Sequence, residues 1–196
     1  MGQFGPTWAF ILAIWTGFIS AILAEQVTVA YRTVSKEQAL QYNANNELVA
    51  SRSSPPLLNG ILGDGVYVSL EPGAFLGSSS CENWVCQITA DKQAFMDNRK
   101  AYVPQWDKIQ GLSTTLYGNE EAINSYLNQL DPSLKYSDTF LVTLDMEEDH
   151  GWEMKIPPSK LTRRGGALNF YVYCFPEVQE GWESVDATIW QANLAQ

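Results

Sequence analysis

Short runs of alternating or β-branched residues constrain this chain more than any other feature. VTVAYRTV, Val27 to Val34, reads as a strand, and so do Val66 to Leu70, Trp84 to Ala90 and Thr139 to Leu144. NFYVYCF, Asn169 to Phe175, is a further strand near the end. Helical text lies between them. Ser35 has the character of an N-cap with Gln38 at the capping-box position, opening a helix to Asn45. Asp91 caps a short helix over Lys92 to Asn98. Glu120 to Gln129 carries Ile123, Tyr126, Leu127 and then Leu130 at helical spacing, and Asp131-Pro132 stops it. The tail after Gly181, with Trp182 and Trp190, predicts one more short helix, and Ala101 to Val103 a short strand. No repeat is present. Several strands with a few helices between them define a single α+β domain, the size that 196 residues favour.

Composition agrees with a packed core: 45% of residues are hydrophobic and 17% charged. The net charge of −10 repels polyanions, and the basic pairs Arg99-Lys100 and Arg163-Arg164 are too small to offset it. Nucleic-acid binding is therefore set aside, and anionic membrane surfaces with it. Residues 1–24 hold an apolar run beginning at Trp8 and turn abruptly polar at Glu25-Gln26. Ala24 is a small residue at the position a signal peptidase cuts, so 1–24 reads as a secretory signal and 25–196 as the secreted domain. A signal anchor is the rival reading, since about 20 apolar residues span a bilayer. The chain after Ala24 has no other membrane candidate.

Secretion permits a disulfide. Cys86 shares a strand face with Trp84 and Ile88, and Cys174 shares one with Phe170 and Val172. The preferred pairing is Cys86–Cys174 with Cys81 free, and Cys81–Cys86 is the local alternative. No metal site is expected, because CxxC is absent and His150 is the only histidine. The run DMEEDHGWE misses the spacing of a calcium loop, and GxSxG and Walker text are absent.

Three motifs remain: YRTVS on the first strand, GDGVYVS at Gly63 to Ser69, and EMKIPPSKL after Trp152. In this order they resemble the ADP-ribosyltransferase-like fold, and the chain is similar to small secreted fungal proteins with a YRTVS…GxGVYxS…IPP pattern. The resemblance implies a split antiparallel or mixed sheet and NAD as co-substrate. Arg32 matches the first-strand residue that contacts NAD, Tyr67 or Ser69 the element that props the site, and Glu153 the late glutamate that stabilises the ribose cation as nicotinamide leaves. Gly65 would let backbone approach the ligand, and Tyr67, Trp84 or Trp152 would stack on nicotinamide. Arginine-modifying members carry Glu-x-Glu, whereas Gly151 stands two residues before Glu153. The implied chemistry is thus NAD hydrolysis or ADP-ribosyl transfer to a host or competitor protein. The alternative is a secreted effector or cell-surface binding protein that kept the fold and lost catalysis.

Overall fold

The computed structural model describes residues 25–49, 60–74, 82–109, 111–144, 151–161 and 166–195. The leader, Cys81, His150 and the acidic run before Gly151 lie outside the described residues. The elements run β1 (Gln26–Ser35), α1 (Lys36–Asn45), β2 (Val66–Ser69), β3 (Asn83–Asp91), α2 (Lys92–Asp97) and β4 (Lys100–Tyr102). They continue β5 (Trp106–Ile109), β6 (Leu112–Thr115), α3 (Glu120–Leu130), β7 (Phe140–Leu144), β8 (Trp152–Ile156), β9 (Tyr171–Phe175), α4 (Ala187–Gln191) and β10 (Leu194–Ala195). The expected α+β class holds.

An eight-stranded sheet has the order β10-β4-β7-β8-β2-β1-β3-β9. β4 pairs in parallel with β10 and β7, and the other pairs are antiparallel. β1 is zipped to β3 along its whole length, whereas β1 and β2 meet at one register pair, Tyr31 and Ser69. The sheet is therefore two halves with a narrow joint. The register of β1 shifts between Thr28 and Ala30. A bulge of this kind frees backbone from the ladder, and the Val29 carbonyl accepts from the Trp190 indole N–H at 2.7 Å. The same C-terminal segment accepts the Tyr31 hydroxyl at the Glu183 carbonyl, 2.8 Å away, and the Val185 amide donates to the Leu70 carbonyl at 2.9 Å. It straps both sides of the joint.

The helices start where side-chain oxygens can take their first free amides. Ser35 accepts from the Gln38 amide, Asp91 from Ala94, Asn119 from Ala122 and Asp186 from Thr188. α1 covers the face of the β1-β3-β9 half that carries Cys86 and Cys174, with Ala39 and Tyr42 buried there. α3 packs Ile123 and Leu127 with Ala101 and Leu141 in a second core on the opposite face of the other half.

An edge strand with free amides invites pairing by another chain. β9 is such an edge, and α1 closes it. Asn43 donates to the Cys174 carbonyl and accepts from the Cys174 amide, both at 2.8 Å, while Asn46 accepts from the Val172 amide at 2.8 Å. Asn46 reaches this position from a left-handed C-cap, φ 53°. Asparagine tolerates that region better than branched residues.

The hairpin β5–β6 was not legible in the sequence. WDKI and LSTT lack clean alternation, and their turn is marked only by Gly111 at φ 82°. Polar hairpin strands outside the main core carry a weak periodic signal.

Cys86 and Cys174 face each other in the β3–β9 register and form the disulfide, closing a separation of 88 residues. This is the preferred pairing of the sequence reading. Closing a loop of that length restricts the unfolded chain, and the double replacement Cys86→Ala/Cys174→Ala should lower the unfolding free energy by about 4 kcal/mol. Urea denaturation of both forms measures this. A loss below about 1 kcal/mol would mean that the strand pairing alone holds the β9 edge.

Candidate functional site

Side chains alternate faces along a strand, and residues directly opposed across a ladder share a face. The register thus assigns each expected site residue. Glu153 on β8 lies between Ser69 on β2 and Thr143 on β7, and Tyr67 lies beside Lys155 on the same face. Tyr31, opposite Ser69, shares that face at the joint. Arg32 is the next residue and takes the other one. It opposes Cys86, and its Nη1 lies 3.4 Å from the Tyr42 hydroxyl of α1. The expected convergence of Arg32 with Glu153 does not occur. Trp84 and Trp152 also belong to Arg32's face: Trp84 opposes Val34, and Trp152 packs edge-on against Tyr102 at 6.0 Å. Neither is placed to stack on a ligand held by Glu153.

Ser69, Tyr67 and Glu153 do come together, and the hydroxyls of Ser69 and Tyr67 are engaged with backbone. The Ser69 hydroxyl is buried and donates to the Glu71 carbonyl at 2.8 Å. The Tyr67 hydroxyl donates to the Gly63 carbonyl at 2.7 Å and accepts from the Leu62 amide at 2.9 Å. Burial pushes the Tyr67 phenol far up, and the nearby Glu153 carboxylate adds to the shift. Its hydroxyl serves as a clamp on the GDGVYVS turn.

The glycines of that turn make room for side chains rather than for a ligand. A Cβ on Gly65 would lie 2.6 Å from the Ile156 carbonyl oxygen and 2.6 Å from Lys155 Cγ. One on Gly63 (φ +80°) would lie 1.7 Å from the Tyr136 hydroxyl. What Gly65 accommodates is Lys155.

Lys155 is the residue the sequence reading missed. It is fully buried, and among the described residues its Nζ has no hydrogen-bond partner. The Tyr136 ring lies over it, 3.6 Å from Nζ to centroid. Burial draws its proton affinity down to about 8, opposed by the charges of Glu120 and Asp64. A cavity of about 280 Å³ opens beside it, lined also by Asp64, Glu120, Tyr136, Ser137 and Ser159. The other buried lysine, Lys100, is different. Its Nζ donates to the carbonyls of Phe95, Met96, Asn98 and Ala192, tying α2 to the C-terminal segment. No local signal marks Lys155, since alternation puts it with Glu153 on the face opposite Met154 and Ile156, where a lysine is ordinarily exposed.

No cluster of metal-ligating side chains occurs among the described residues. No helix among them is long and apolar enough to cross a membrane. Fold and site together define a disulfide-bonded α+β domain with a lysine cavity on one face of its sheet. Residues 60–193 match the profile of the family of unknown function DUF5910, and the chain belongs to that family. The match takes in β2, β8 and the lysine cavity, and begins after Arg32. No curated protein matches the sequence.

Two outcomes follow from this packing. Gly65→Ala should cost about 1–3 kcal/mol, because the clash includes backbone that cannot move aside. An unchanged urea midpoint would show that β8 shifts freely. Lys155 binds its proton less tightly in the folded chain, about 8, than in the unfolded chain, 10.5. The unfolded state therefore holds more protons between those values, and this residue's destabilising effect is complete below pH 8 and fades as pH rises to 10.5. Lys155→Met should raise the thermal midpoint at pH 7, with the gain shrinking toward pH 10. A gain independent of pH would place the effect in packing instead.

Proposed function

We propose that the protein is a secreted binding protein, an effector or cell-surface factor on an ADP-ribosyltransferase-like scaffold that does not turn over NAD. The observation that carries this reading is the position of Arg32. It stands on the opposite face of the sheet from Glu153 and is engaged with α1 through Tyr42. A cation meant to hold the NAD pyrophosphate and a carboxylate meant to stabilise the ribose cation must act on one ligand from one cleft. The narrow joint between β1 and β2 accords with the split sheet that the sequence resemblance implies. The Cys86–Cys174 disulfide fits an oxidising, extracellular destination. A charge of −10 favours a host or competitor protein with a basic surface as the partner.

A second reading keeps NAD hydrolysis, with Glu153 acting beside Ser69 and without Arg32. The direct opposition of Ser69 and Glu153 across β2 and β8 favours it. Nicotinamide release from NAD by purified residues 25–196, compared with Glu153→Gln, separates the two. The binding reading expects no release by either protein. Release by the wild type that is lost in Glu153→Gln would overturn it in favour of hydrolysis.

A further inference from the structure

We propose that Lys155 captures small aldehydes or ketones as a covalent imine inside the cavity between β2, β8 and the start of α3. The inference is independent of the NAD question, since it uses none of Arg32, Ser69 or Glu153.

The contrast between the two buried lysines carries the argument. A buried ammonium needs acceptors for its protons, and leaving them unmet is costly. Lys100 meets the need with four carbonyls and acts as a structural tie. Among the described residues, Lys155 has the face of Tyr136 and the more distant charges of Glu120 and Asp64 but no hydrogen-bond acceptor. A lysine held this way is destabilising, and it lines a cavity rather than solid core. Groups kept at a cost to stability are characteristic of sites with a chemical use.

The cavity's own chemistry selects the ligand class. An anion would be drawn to Lys155 but repelled by Asp64 and Glu120, which line the same space. A cation would suit the carboxylates but not the lysine. A neutral carbonyl compound avoids both conflicts and answers the amine directly. At about 280 Å³ the space lies at the lower end of small-molecule sites, so it admits molecules of a few carbons rather than a cofactor. The Tyr136 ring forms one wall, and its hydroxyl, donating to the Leu62 carbonyl at 2.9 Å, fixes it there. The missing Cβ at Gly65 gives the lysine stem its seat.

The step balances without any further reactant. The neutral Nζ adds to the carbonyl carbon, forming a C–N bond as the carbonyl π electrons move to oxygen. The resulting carbinolamine loses water as C=N forms. One Nζ proton goes to the carbinolamine oxygen on addition and the other leaves on dehydration, with Glu120 or Asp64 as the carrier. The product nitrogen needs at most one acceptor, so the unmet demand at Lys155 is removed.

The test uses the folded wild-type protein at pH 7.5 (about one unit above the usual histidine range), with propanal as probe and sodium cyanoborohydride to reduce any imine to a stable amine. Peptide mass spectrometry then reads the rate at each lysine. Lys155 should be labelled about tenfold faster than the exposed Lys36 and Lys92, because burial leaves more of it unprotonated. A dextran aldehyde, a polymer too large to enter the cavity, should not share the preference. Labelling of Lys155 no faster than that of Lys36 and Lys92 would overturn the proposal. So would equal preference with the dextran aldehyde, which would place the reaction outside the cavity.

Discussion

The architecture depends on a joint one residue pair wide. Tyr31 and Ser69 are the only register partners between β1 and β2, so little backbone hydrogen bonding holds the two half-sheets together there. The deficit is made up by side chains and by the C-terminal segment. Ser69 sits with its hydroxyl 3.5 Å from the Tyr31 carbonyl, and Tyr31 reaches the Glu183 carbonyl and packs against Trp182. Trp190 holds the bulged Val29. A buried indole or phenol with a satisfied hydrogen bond combines large apolar contact with a directional anchor. Residues more than a hundred positions away in sequence thus stabilise the first strand.

The joint also fixes the chemistry of each face. Because β2 and β8 are in register, one face carries Tyr67, Ser69, Glu153 and Lys155, and the other carries Val66, Val68, Met154 and Ile156. On the first face Tyr67 packs into the second core with α3, and the cavity lies beside Glu120, the first residue of that helix. The second face is closed by the main core. Arg32 falls on the opposite side from Glu153 through a simple parity: it is one residue beyond Tyr31, and a one-residue step in a strand reverses the side chain.

Most of the fold was legible because its signals are local. The strand at Val27 to Val34, the caps at Ser35 and Asp91 and the apolar stripe of α3 each need only a few neighbours to be read. Their ends moved by a residue or two: the expected Asn169 start became Tyr171, since Asn169 adopts φ 48° and cannot continue a strand. The disulfide was legible for a related reason, as both cysteines lay on the apolar parity of their strands. The site was less legible. The YRTVS, GDGVYVS and EMKIPPSKL motifs lie on the adjacent strands β1, β2 and β8, and Ser69 and Glu153 do meet, but motif order carries no information about parity between strands. Gly65 was read as an opening for a ligand when the space is filled by Lys155.

What the sequence determined by itself was therefore the class of fold, the helix starts, the excess of negative charge and a preferred cysteine pairing that the structure then decided. All rest on periodicity, capping and composition, which act over short distances or over the chain as a whole. Only the tertiary structure decided which faces Arg32 and Glu153 occupy, that Asn43 and Asn46 close the β9 edge, and that Lys155 lies buried beside a cavity without acceptors. Each of those depends on strand register and on elements far apart in the chain. The letters of GDGVYVS and GWEMKIPPSKL show which residues share a face within each strand, but only the packed sheet shows which strands lie side by side.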